Sequence, residues 1–270
     1  MLWEFYTQLS GVLIVSVFCV SGGNIGGTRQ EITLSSEGGY GNILVTIEDT
    51  VPENLELIDR LKEYFEEAST LLFSATKEQH YFENITIKVP ASWTPQPSWQ
   101  QATAEHTLER ARIIIGPPNQ AWGDIPYTLQ PGLCGQEGDY THFTPNYLTN
   151  LASVRPEKRI VREFAHLKWG LFDEDVPSTD TVSPKFYPKD GTLRPTICVV
   201  QNIFGQIIDT SEDNARCTEY NKKTQEYGSG CVFEPIEEIT SATASLMYAE
   251  HLTSVRTTFF MCMFENLLML

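Results

Sequence analysis

The chain has 270 residues, 41% of them hydrophobic, enough for one large domain or one domain with an appendage. Its formal net charge of −16 excludes nucleic acid and anionic membrane surfaces as partners, since both repel an acidic protein. A membrane-embedded channel is excluded too, because no mature segment supplies the roughly 20 apolar residues of a spanning helix.

Residues 1–22 read as a secretory signal peptide. The apolar run at residues 11–20 (GVLIVSVFCV) is too short to span a bilayer and right for the core of a leader. Ser21, Gly22 and Gly23 suit a cleavage site, although the segment ahead carries Glu4 and no Lys or Arg. The alternative for the same run is a buried N-terminal strand. A secreted, extracellular chain meets an oxidising compartment, so its cysteines are read first as bridges. Cys19 leaves with the leader. Cys134, Cys198, Cys217, Cys231 and Cys262 remain, an odd number, so at least one is free or pairs between chains. Asn84-Ile85-Thr86 is a glycosylation acceptor, in keeping with secretion.

Residues 23–41, rich in Gly and Ser, read as a flexible lead-in. Residues 43–47 (ILVTI) form a short β-branched apolar run, a buried strand. Pro52 precedes a helix over 53–73, where Leu55, Ile58, Leu61, Phe65, Ala68 and Leu72 recur at spacings of three and four. Residues 85–89 (ITIKV) alternate as a strand does. In the loop at 90–99, Trp93 and Trp99 either close a core edge, the commoner outcome, or line a groove. Residues 112–115 (RIII) give a third strand, and the Gly- and Pro-rich stretch 116–131 a long surface loop. A helix over 156–168 follows, ended by Gly170. This order predicts an α+β domain.

The character changes near Pro195. Residues 196–255 read as a small cysteine-rich appendage in which two of Cys198, Cys217 and Cys231 are bridged. A helix over 239–255 puts Ala242, Leu246, Ala249 and Leu252 on one face. Residues 256–270 form a divergent, apolar, Met-rich tail.

The stretch at 161–174 (VREFAHLKWGLFDE) carries the chemistry. An H-E-x-x-H helix presents two histidines to a zinc ion and a glutamate to the attacking water. Glu163 and His166 hold the second and fifth places. Asp173 follows past Gly170, which allows the chain to turn back toward a metal. The first place is Arg162, whose guanidinium has no lone pair for Zn²⁺. His80, His106, His142 and His251 read as structural or surface histidines, and Cys134 as half of a disulfide. Glu174 is either a solvent-exposed acid or a hydrogen-bonding support of His166.

These residues resemble the N-terminal part of the calcium-activated chloride channel regulator family, over about residues 39–255. The likeness rests on Lys88-Val89-Pro90-Ala91-Ser92-Trp93, on Cys134-Gly135 with Gly138-Asp139-Tyr140-Thr141-His142-Phe143-Thr144-Pro145, and on the stretch from His166 to Glu174. The resemblance implies a secreted, self-cleaving zinc metalloprotease with a zincin-like domain, here 39–195, followed by a cysteine-rich segment and a von Willebrand factor type A domain. It also implies modulation of a chloride conductance through a channel partner at the cell surface. By position His166 and Asp173 match two zinc ligands and Glu163 the general base, while Arg162 departs from the pattern. The expectation is therefore an impaired protease; the alternatives are a non-catalytic binding module or a residual zinc peptidase.

Overall fold

The computed structural model describes residues 14–19, 29–150, 155–176, 184–189, 192–197, 203–210, 215–217, 220–221, 226–228, 230–240, 245–250 and 252. The expectations for Cys198, His251, Cys262 and the tail at 256–270 lie outside the described residues. The chain divides into two compact units, residues 1–171 and 172–270, whereas the sequence suggested a boundary near 195.

The first unit contains β1 (Ile14–Cys19), β2 (Thr33–Leu34), β3 (Gly39–Gly41), β4 (Ile43–Ile47), β5 (Tyr81–Phe82), β6 (Asn84–Val89), β7 (Gln100–Gln101), β8 (Ile113–Ile115), β9 (Tyr127–Leu129) and β10 (Tyr140–Phe143). Its helices are α1 (Leu55–Ala75), α2 (Pro145–Asn150) and α3 (Pro156–Phe164). The larger sheet runs β7-β1-β6-β4-β8-β10-β9 in its described strands. All neighbours pair in parallel except β9, which lies antiparallel to β10 at the edge. The three expected strands occupy its centre. β4 is buried at every position, the continuous apolar run of a strand covered on both faces.

In α1, Leu57, Ile58, Leu61, Phe65, Ala68, Leu72 and Ala75 form the buried face. The Asn54 side chain accepts from the Leu57 amide at 3.2 Å, so the helix begins two residues later than the pattern suggests and Leu55 stays exposed. α1 packs against α3, and Phe82 joins them, edge-on to Phe65 at 5.9 Å and to Phe164 at 4.9 Å. Trp93 is 2% exposed and donates its indole N–H to the Val51 carbonyl at 3.0 Å, a core residue rather than a groove wall.

In two expected loops the described residues are held by long-range contacts. Within 23–41, Ile32 and Tyr40 are buried, and β3 lies between β2 and β5 in a separate small sheet. Arg29 holds the first described residues of this segment. It pairs with both oxygens of Asp139 at 3.1 and 3.4 Å, donates to the Leu108 and Ala111 carbonyls, and lies 4.6 Å over the Tyr140 ring. Within 116–131, β9 pairs with β10 along one edge only, which a three-residue strand after Pro126 satisfies without a periodic signal.

The second unit holds β11 (Phe186–Lys189), β12 (Thr192–Pro195), β13 (Gly205–Asp209), β14 (Ala215–Arg216), β15 (Tyr220–Asn221), β16 (Glu226–Tyr227) and β17 (Cys231–Pro235), paired as short antiparallel sets. Cys217 and Cys231 form a disulfide with Cα atoms 6.2 Å apart, the expected bridge of the appendage. The helix expected over 239–255 does not form in the described residues. Residues 245–250 are turns, with Ala249 at φ 52°. Leu246, Ala249 and Leu252 are buried all the same. Hydroxyl-bearing residues compete locally with helix formation, as Ser245 does by accepting from the Met247 amide at 3.1 Å.

Candidate functional site

α3 opens with Pro156, whose missing N–H costs nothing in the first turn. At Ala165 the helix widens into a π-helical turn, Ala165–Trp169, and Gly170 closes it at φ 63°. The motif therefore straddles a change of helical geometry. Arg162 and Glu163 sit on α-helix, His166 on the wider turn, where simple i,i+4 spacing no longer applies.

The helix end is held from outside. The Gly138 amide donates to the Leu167 carbonyl at 2.8 Å and the Gly135 amide to that of Gly170 at 3.0 Å. Arg112, 5% exposed, donates from Nη2 to Gly138 O at 3.0 Å and to Leu167 O and Glu137 Oε2 at 3.4 Å. Burial pushes its pKa down, and Glu137 opposes that shift. Lys168 completes the cradle through Glu137 Oε1 and the Ile32 carbonyl. Trp169 donates to the Tyr40 hydroxyl at 2.9 Å. These contacts explain why the segment around Cys134 and Gly138 accompanies the motif in sequence: it is the clamp on the motif's last turn.

Glu163 is 3% exposed. Its Oε2 accepts from Thr128 of β9 at 2.7 Å and its Oε1 from Arg159 at 3.4 Å. Thr128 also meets Thr141 of β10 at 2.8 Å. Both carboxylate oxygens are thus engaged by protein donors, a poor arrangement for a base that must capture a proton from water. His166 is half-buried, its Nδ1 2.5 Å from the Leu171 carbonyl. A carbonyl only accepts, so Nδ1 carries a proton and donates it to Leu171, the kind of bond that orients a metal-binding histidine. Arg162 is half-buried in the same helix.

Asp173 lies in the second unit and is half-buried. Glu174 beside it is half-buried rather than a solvent-exposed acid. Its amide donates to Met247 O at 3.0 Å, and its carboxyl is pushed up by burial, with Ser245 opposing and Asp173 and Asp175 adding to the rise.

These residues do not fit a catalytic zinc centre, which takes three protein donors and a water. The position that should supply the first donor holds Arg162. Among the described residues, the group of three donors close enough to share an ion is Asp209, Cys217 and Cys231, remote in sequence from the motif. Its two sulfurs are bonded to each other and offer no thiolate.

The remaining histidines have structural settings. His106 Nδ1 accepts from the Thr103 amide at 3.3 Å. His80, expected at the surface, is half-buried between Tyr40 and Trp169, with ring centroids 5.3 and 6.3 Å away. His142 stacks on Tyr127 at 5.2 Å, and Tyr127 stacks on Trp122 at 5.6 Å. Burial lowers the pKa of His142. The unfolded chain therefore binds the extra proton first, and stability falls as the pH drops below the unfolded value of about 6.5. His142→Phe is expected to flatten that loss between pH 7 and 5.5 in urea-unfolding titrations; a variant with the parental slope would disprove it.

Cys134, expected in a disulfide, is unbridged and exposed. Gly135 at φ 83° and its bond to Gly170 place Cys134 on a loop tip beside Leu133, which is 74% exposed. Asn84, half-buried, is the first residue of β6. Sequence reasoning missed Thr128, Arg159, Arg112 and Glu137. The i,i+4 spacing of Arg159 and Glu163 was a usable signal; the others depend on contacts far apart in sequence.

The first unit is thus an α+β unit whose helix over 156–164 is clamped at its end by the Cys-Gly loop. The family described as calcium-activated chloride channel N terminal matches residues 32–266, and the chain belongs to that family. It is 35% identical over 234 residues to calcium-activated chloride channel regulator 3A-1 of Mus musculus, covering 84% of this chain and 25% of that one. It is 36% identical over 224 residues to regulator 2 of Homo sapiens, 81% and 23%. With regulator 1 of Bos taurus it shares 34% over 235 residues, 85% and 25%. The chain thus spans about a quarter of the length of these relatives. No solved structure matches it. No helix among the described residues is long and apolar enough to cross a membrane.

Proposed function

We propose that the chain is a secreted, zincin-like module of this family that has lost peptide hydrolysis and retains binding. The observation that carries this is position 162, where a permanent cation replaces a metal donor. The burial of Glu163 between Thr128 and Arg159 supports it from the side of the base. The surface left for binding is the rim at β9. This is one edge of the sheet among its described strands, touches the motif helix through Thr128, and stands among exposed Trp122, Ile125, Leu129 and Leu133. An extended peptide adds to such an edge by main-chain hydrogen bonds, with apolar side chains flanking it. The relatives' names point to a chloride channel as the protein partner.

A residual zinc peptidase is the second reading, favoured by the Nδ1 bond of His166 to a backbone carbonyl, the bond that orients a metal-binding histidine. Metal analysis of the wild-type and Arg162→His proteins separates the two. The wild type is expected to carry well under one zinc per chain, to show no peptidase activity and to keep its unfolding midpoint under chelators. Arg162→His is expected to gain close to one zinc. Stoichiometric, chelator-sensitive zinc in the wild type would sink the binding-module reading.

A further inference from the structure

β6 lies between β4 and β1 in the sheet. Its pairing with β1 runs in parallel register from Ile14 opposite Asn84 to Cys19 opposite Val89. β1 falls wholly within the apolar run read as the core of a secretory leader, and the inference rests on that reading. Cleavage near Gly22 removes β1 entirely. β7 is no substitute, because its described pairing is with β1 alone and involves only Gln100 and Gln101. Processing therefore turns β6 from an interior strand into an edge.

That edge is hazardous. It would leave unpaired the backbone groups that now face β1, those of alternate residues along a six-residue strand whose Ile85, Ile87 and Val89 are fully buried in the unprocessed chain. A second copy suits it. Two β6 edges meeting antiparallel about a two-fold axis set Asn84 against Val89, Ile85 against Lys88 and Thr86 against Ile87. Lys88, the only charge on the strand, then faces isoleucine, so no like charges oppose the match. Lys88 is the single guarding charge on this edge, and in this register it meets no like charge.

The acceptor tripeptide Asn84-Ile85-Thr86 lies on this same strand. Strand alternation puts Asn84 and Thr86 on the same face, opposite Ile85 and Ile87. Both are half-buried while β1 is present. We infer that an N-linked glycan on Asn84 shields the β6 edge bared by leader removal and prevents a second copy of the chain from pairing there. A hydrated glycan at the first residue of the strand fills the space a second chain needs to align all six positions. One processing event thus creates the edge, and a modification in the same compartment covers it.

The test uses the chain expressed with its own leader in a glycosylating eukaryotic cell. Mass spectrometry fixes the N-terminus and the occupancy of Asn84, and light scattering fixes the mass. The secreted parent and Thr86→Ser, which keeps the acceptor, are expected to be glycosylated monomers. Asn84→Gln and Thr86→Val, which abolish it by different changes, are expected to double in mass or aggregate. Enzymatic removal of the glycan from the folded parent should do the same without any change of side chain. Unglycosylated variants that start near residue 23 and stay monomeric would overturn the inference, as would an unmodified Asn84 in the parent. A secreted parent that keeps residues 14–19 would overturn it through the leader reading instead, and the N-terminal mass identifies that case.

Discussion

Gly170→Ala is expected to destabilise the first unit by about 3 kcal/mol or more and to loosen the end of the motif helix. Two costs combine. Gly170 sits at φ 63°, a left-handed conformation that costs an L-residue about 1–2 kcal/mol. A Cβ there would also lie 2.2 Å from the Gln136 carbonyl oxygen and 2.5 Å from its nitrogen. Those are backbone atoms held by the clamp, so they cannot swing aside as a flexible side chain would, and overpacking of this kind typically adds about 1–3 kcal/mol. Gly123 separates the terms. It has φ 57° but nothing within 4 Å of its Cβ position, so Gly123→Ala should lose only the conformational part. Urea unfolding of both variants beside the parent measures the difference. Equal losses would mean that Gln136 yields, and that the close approach of loop and helix is not what demands glycine.

What was legible in the sequence was local. The spacing of Leu61, Phe65, Ala68 and Leu72 fixed a helix face, and the run at 43–47 could only be buried if strands flanked it on both sides. The motif advertised itself because its donors are a few residues apart. What was not legible depends on contacts between distant segments. Glu163 looked like a base facing a cleft because the sequence does not show that Thr128, 35 residues earlier, bonds to it. The lead-in at 23–41 looked flexible because Arg29 finds Asp139 110 positions away. In the described part of the expected helix at 239–255, Leu246, Ala249 and Leu252 are buried on a different backbone, since periodicity reports which side chains face inward and not the turn that puts them there. Cys134 misled for the opposite reason. Counting cysteines favours pairing, while the geometry of Gly135 and Gly170 sets that side chain on an exposed tip.

Arg112 is the largest single expected loss among side chains that no motif singles out. Its guanidinium ties β8 to the loop ahead of β10 and to the last turn of the motif helix, through Gly138 O, Leu167 O and Glu137 Oε2. Arg112→Met keeps the volume of the stem and removes every donor. The Gly138 carbonyl then loses its charged donor, while Leu167 O keeps the Gly138 amide and Glu137, 43% exposed, turns to water. Hydrogen bonds from charged groups contribute about 1.5–3 kcal/mol each, and relief of the buried charge offsets part of that, leaving a net loss of about 3 kcal/mol. Arg112→Lys should recover little, because one ammonium on a shorter reach does not reproduce a planar fork with several fixed donors. The informative readout is local. Amide exchange at Gly138 and Gly170 should accelerate in Arg112→Met well beyond the rate set by global unfolding, since these two amides sit on either side of the clamp. If their exchange merely tracks the loss of overall stability, Arg112 supports the sheet alone, and the geometry at His166 is set by the aromatic contacts of Trp169 with Tyr40 and His80.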